Sequence, residues 1–151
     1  MTYTSSSFWS QLGANHILWV TLFAWAFAQT LKVALGVLRT RHFDFRWFIG
    51  TGGMPSAHAA GSSALAVVVG RDQGFHSPMF ALAAVFAMVT MFDAQGVRRA
   101  AGTQASILNK ILDDIYWKGK IEGDRLKELI GHTPVEVFAG SLIGILLAVI
   151  F

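Results

Sequence analysis

Cysteine is absent from the sequence, which excludes a disulfide framework, thiolate metal sites and a cysteine nucleophile. Charge is scarce as well. Asp, Glu, Lys and Arg together make up 14% of the chain, against about 25% in ordinary soluble domains. Residues 1–15 carry no lysine or arginine, so the basic n-region of a cleaved signal peptide is missing. No basic patch with interleaved aromatics and no nucleic-acid motif is present, so a nucleic-acid partner is not expected. There is no internal repeat or low-complexity tract, and the Gly-Thr-Gly-Gly stretch at 50–53 is too short to be a linker.

What remains is apolar. Hydrophobic residues account for 54% of the 151 positions, and the mean hydropathy is +0.51. A soluble protein of this composition would expose large apolar patches and aggregate, so the chain reads as a membrane protein. The length allows one domain, residues 1–151. Four apolar segments stand out, at Ile17–Leu38, Ala57–Gly70, Pro78–Phe92 and Pro134–Phe151. The first is long enough to cross a hydrocarbon core of about 30 Å. The second and third hold about 15 residues each, fewer than the roughly 20 of a normal span, but both are rich in alanine, glycine and serine, which lets membrane helices approach closely. The expected fold is all-α: a polytopic bundle of about four membrane helices plus amphipathic interfacial helices.

The interfacial elements fall between Asp93 and His132. Ile107, Leu108, Ile111, Leu112 and Ile115 form an apolar stripe at helical spacing, with Lys110 and Asp114 paired at i,i+4. A break is expected at Lys118-Gly119-Lys120, then a short amphipathic helix at Asp124–Ile130. Tyr116 and Trp117 suit headgroup depth. The basic residues are concentrated in loop 39–54 and in 96–133, and both ends of the chain lack them. By the positive-inside rule both termini face outside and the two basic stretches face the cytoplasm. That describes an integral protein of a bacterial inner or plasma membrane with its polar site toward the cytoplasm.

The residues suited to chemistry converge on that side. Lys32 and Arg39 lie two helical turns apart, on one face and about 10 Å apart along the axis; they line a polar site or snorkel to the headgroups. In Gly50-Thr51-Gly52-Gly53-Met54-Pro55-Ser56-Ala57-His58, the glycines permit turns that aim N–H groups at an anion. Proline suits a first helical turn, Ser56 offers a hydroxyl, and His58 follows within a turn. The alternative for this stretch is an ordinary capped helix with an interfacial histidine. In Gly131-His132-Thr133-Pro134-Val135-Glu136, Glu136 is placed either to close a capping box with Thr133 or to accept from the His132 imidazole four residues earlier. Asp93 and the pair Arg98-Arg99 are expected to close the third helix, where an arginine can clamp phosphate oxygens. Asp93 can orient an arginine or bind a divalent ion through phosphate.

Taken together, Lys32-x6-Arg39, Pro55-Ser56-Ala57-His58 and His132-x3-Glu136 resemble the three-part signature of the type 2 phosphatidic acid phosphatases and vanadium haloperoxidases. The segments Gly-Gly-Met-Pro-Ser-x-His, Asp-Ala-x-Gly-Val-Arg-Arg and Gly-His-Thr-Pro-x-Glu are closer still to the divergent branch of that superfamily, a group of small membrane proteins. The likeness runs from about Lys32 to Gly140.

The resemblance implies a membrane phosphatase acting on a lipid or isoprenoid phosphate monoester or diphosphate. His132 would attack phosphorus to give a phosphohistidine, Glu136 would orient it, and His58 would protonate the leaving oxygen. Lys32, Arg39, Ser56 and one of Arg98 or Arg99 would hold the phosphoryl oxygens, with Gly53 and Asp93 in support. No metal or other cofactor is implied. The expected partners are membrane lipids and an amphiphilic phosphorylated substrate, and small residues on the helices permit a homo-oligomer. The chain departs from the family pattern at four points. Thr40 follows Arg39 where proline is usual, Ala57 replaces a glycine, and Glu136 replaces an aspartate. Leu126, beside Arg125, occupies the place of the third-motif arginine. Two other readings remain: a non-catalytic protein binding anionic lipid headgroups, and a small transporter subunit with Lys32 and Asp93 along its path.

Overall fold

The computed structural model describes residues 7–43, 53–116 and 131–151, and at 97–100 and 114–116 the helical backbone alone. Among the described residues five helices follow in order: α1 (Phe8–Gly13), α2 (His16–Thr40), α3 (Ala57–Gln73), α4 (Pro78–Tyr116) and α5 (Pro134–Ile150). No strand occurs among the described residues, in agreement with the expected all-α class.

Local chemistry sets most of the helix ends. Asn15, Ser56 and Thr133 each accept a backbone N–H with the side-chain oxygen, capping α2, α3 and α5. Arg41 ends α2 in the left-handed conformation at φ 52°, where a short αL step returns an amide to the last turn. The short α1 was not anticipated. Ser7 caps it, and the Trp19 indole N–H donates to the Leu12 carbonyl at 3.1 Å, fastening α1 to the first turns of α2.

Packing centres on α3, which buries ten residues, every one of them alanine, glycine, serine or valine. It runs antiparallel to α2: Gly53 lies against the Lys32 stem, Gly61 against Trp25, and Asp72 beside His16. It runs parallel to α5. A Cβ built on Gly140 would overlap the Ser56 carbonyl, and one on Gly144 the Ala60 carbonyl, so the backbones of these helices touch where only glycine fits. Val20, Ala24, Ala64, Val68 and Ala148 close the core at the far end, and Ala28, Ala57 and Ala60 close it near the site. Arg71 donates to the Ala148 carbonyl, finishing α5 at the end away from the site.

Large apolar side chains point outward. Trp19, Leu22 and Phe27 on α2, Leu82 and Val89 on α4, and Phe138 and Leu146 on α5 are all exposed. Small residues inside and bulky ones outside invert the soluble pattern and suit a hydrocarbon surround. Among the described residues, two helices, His16–Thr40 and Pro78–Asp113, are long and apolar enough to cross a bilayer; Pro134–Ile150 is apolar but shorter. The expectation of four spans is therefore not met on length and hydropathy alone. Helices α3 and α5 have 17 residues each, about 25 Å, and α3 carries Arg71 and Asp72 in its last turn.

A second expectation is corrected. The third apolar helix does not close at Asp93. Helix α4 continues unbroken for 39 residues, about 58 Å, so Asp93, Arg98 and Arg99 lie in its interior. Hydropathy falls after Phe92, yet no proline follows to stop the helix, and propensity lets it run on. The break at Lys118-Gly119-Lys120 and the helix at Asp124–Ile130 lie outside the described residues, as do Leu126, Arg125 and the glycines before Gly53.

Candidate functional site

Two helix starts lie side by side. At the start of α3, Gly53 has φ +88°, and a Cβ there would come 3.3 Å from Lys32 Cδ, so the chain passes directly over the lysine stem. Ser56 is fully buried. Its hydroxyl oxygen accepts the Ala59 N–H at 3.4 Å, and its own N–H donates to the Glu136 carbonyl at 3.0 Å. The cap of α3 therefore hangs from the first turn of α5. His58, the second residue of α3, is half-buried.

At the start of α5, Thr133 is the N-cap, Pro134 occupies the first turn, and Glu136 completes a capping box. Glu136 Oε2 accepts the Thr133 N–H at 3.0 Å and lies 3.1 Å from His132 Nδ1. The two roles that the sequence left as alternatives for Glu136 coexist on one oxygen, which has two lone pairs to offer. An oxygen that already accepts a backbone N–H acts toward the imidazole as an acceptor too. Nδ1 then carries the proton, and in the neutral ring Nε2 is the nitrogen with the lone pair. The His132 backbone N–H donates to the Ala94 carbonyl of α4 at 3.0 Å, fixing the residue against a third helix.

The imidazoles of His58 and His132 meet edge to face, with centroids 6.1 Å apart and planes at 61°. The His132 side chain is 1% exposed, so the site is closed as it stands. Lys32, half-buried on α2, interacts electrostatically with Glu136. Lys32, Gly53, Ser56, His58, His132 and Glu136 thus converge at one end of the bundle. Arg39 lies two turns beyond Lys32 and is exposed. Asp93 neighbours Ala94, but its side chain is exposed. Arg98 and Arg99 follow Ala94 by four and five residues on the same helix, about 6–8 Å further along its axis. No group of three or more metal-ligating side chains occurs among the described residues.

Sequence reasoning missed Gly140 and Gly144, which let α3 and α5 meet. Their signal was a Gly-x3-Gly spacing in an apolar segment. It also missed the Ala94 carbonyl, which has no sequence signal because any residue supplies one.

An all-helical bundle with bulky apolar residues outside and two histidines paired at its polar end defines a helical membrane protein with a buried two-histidine site. The Divergent PAP2 family model matches residues 13–147, and the chain belongs to that family. It is 42% identical to the uncharacterized membrane protein YuiD of Bacillus subtilis (strain 168), over 93% of this chain and 96% of that protein. No solved structure matches it.

Proposed function

We propose that the chain is a phosphatase for an amphiphilic phosphate, a lipid or isoprenoid monoester or diphosphate, working through a phosphohistidine. The observation that carries this reading is the 3.1 Å contact between His132 Nδ1 and Glu136 Oε2, with the His58 ring beside it. A histidine held through Nδ1 by a carboxylate is arranged for attack through Nε2.

In the first step the Nε2 lone pair forms a bond to phosphorus as the bond to the leaving oxygen breaks. That oxygen takes a proton from the His58 imidazolium. In the second, water attacks the phosphohistidine, neutral His58 accepts its proton, the P–N bond breaks and inorganic phosphate departs. Charge on the phosphoryl oxygens is met by Lys32 and by arginine from Arg39, Arg98 or Arg99, acting as positioned donors. Ser56 contributes by holding the α3 start, and its hydroxyl hydrogen remains a donor. With the rings of His58 and His132 in edge contact, a swing of the half-buried His58 makes room for a phosphoryl group beside His132.

The cytoplasmic membrane face suits the basic stretches, and the substrate head would approach at headgroup depth. The test is phosphate release by the purified protein from a panel of lipid and prenyl phosphates, with His58→Ala and His132→Ala in parallel. Release that survives both substitutions rejects the mechanism. Absence of release from every substrate, with binding to anionic vesicles intact, favours a headgroup-binding protein instead.

A further inference from the structure

Thr133 has so far been only the N-cap of α5, yet it touches the acid that orients His132 twice. Its N–H donates to Glu136 Oε2 at 3.0 Å, and its Oγ1 accepts the Glu136 N–H at 3.3 Å. The oxygen it holds is the one that faces His132 Nδ1 at 3.1 Å. Without the Oγ1 acceptor the first turn of α5 loses the bond that fixes the Glu136 backbone, and the reciprocal bond from the Thr133 N–H loosens with it. The carboxylate is then free to adopt other rotamers. Several of these leave Nδ1 without an acceptor, and the proton is no longer confined to that nitrogen.

We infer that Thr133 is a positioning residue, whose hydroxyl acts through Glu136 to hold His132 in the tautomer with Nε2 unprotonated. The inference rests on the proposed use of His132 as nucleophile for its consequence in catalysis, but not for its structural content. Among the described residues, Lys32 from α2 and His58 from α3 also lie beside this pair, and neither caps α5. The device is local. Glu136 is only 19% exposed, so water competes weakly for its oxygens, and the Thr133 cap that fixes its backbone helps to decide where the carboxylate rests.

The deciding experiment records the ring 15N shifts of His132 in the purified, detergent-solubilised full chain, with His132→Gln supplying the assignment. In the wild type the pattern of an Nδ1-protonated ring is expected. Thr133→Val, which keeps the shape and removes the acceptor, should shift the ring toward a mixture of tautomers. Thr133→Ser and Thr133→Asn, which both keep an N-cap acceptor, should restore the wild-type shifts. If the wild type hydrolyses phosphate esters, Thr133→Val should also lower kcat about tenfold or more with KM little changed, as small misplacements of reacting groups do.

Unchanged His132 shifts in Thr133→Val overturn the inference. So do altered shifts in Thr133→Ser or Thr133→Asn, which decide the matter even if the valine variant does not fold. A wild type that turns over no substrate rejects the phosphatase reading, while the comparison of shifts still stands or falls by itself.

Discussion

Glu136 holds His132 through its side chain and Ser56 through its backbone. Its Oε2 faces His132 Nδ1, and its carbonyl accepts the N–H of Ser56, two residues before His58. A change at this one position therefore separates into two effects. Glu136→Gln keeps the backbone bond to Ser56 and replaces an acceptor oxygen with an amide that can turn its NH2 toward the imidazole. The expected result is a folded protein with phosphate release lowered by about 10²-fold or more, the scale of losing oriented acid–base chemistry. A thermal melt alongside the assay checks it, because the melt should move little.

The cover over His132 is the second matter for experiment. His132 is 1% exposed on its side chain and touches the His58 ring. His58→Ala should make His132 react faster with diethyl pyrocarbonate, read by mass spectrometry of the modified peptide. Inorganic phosphate or vanadate should protect it in the variant. A rate equal to that of wild type would show that His58 is not the lid.

Gly140 tests the seam between the helices. A methyl group there meets the Ser56 carbonyl and lies 3.1 Å from Ser56 C and N. Gly140→Ala should destabilise the protein by about 1–3 kcal/mol, the usual cost of overpacking. Because the strain falls on the residue that starts α3, activity should fall further than stability explains. Gly96, which has nothing within 4 Å of an added Cβ, is the control: Gly96→Ala should be neutral or slightly stabilising.

The absence of cysteine makes topology directly measurable. Single substitutions Ser7→Cys, His42→Cys and His76→Cys place a thiol before α1, after α2 and between α3 and α4, all at exposed positions. With a membrane-impermeant maleimide on intact cells, Ser7→Cys and His76→Cys should label. His42→Cys should label only after permeabilisation. Labelling of all three from outside would remove the cytoplasmic orientation.

Much of the site was legible because its chemistry is local. The pattern Thr133-Pro134-x-Glu136 writes its own helix start, and Pro55-Ser56 writes another, so His58 and His132 could be placed at helix beginnings from sequence alone. Lys32 was legible only as one of two readings, because a charge inside an apolar helix either lines a polar site or snorkels to the headgroups. The end of the third helix was misread because the fall in hydropathy after Phe92 was taken for a boundary. A change of surroundings alters which side chains a helix prefers without ending it, and only a breaker or a cap would have done so. The α3–α5 seam was hidden for a different reason: it depends on which backbones face one another, and a glycine does not name its neighbour.

The glycines of that seam recur every four residues, at Gly140 and Gly144, and they receive carbonyls that also recur every four, at Ser56 and Ala60. Matching pitches of this kind lock the register of α3 on α5. A shift of four residues, about 6 Å, would set the Ala60 carbonyl against Ala148 or the Ser56 carbonyl against Glu136, where a Cβ stands in the way. The separation of the two imidazoles is therefore fixed by the backbone, and evolution can adjust it finely only through side-chain rotation.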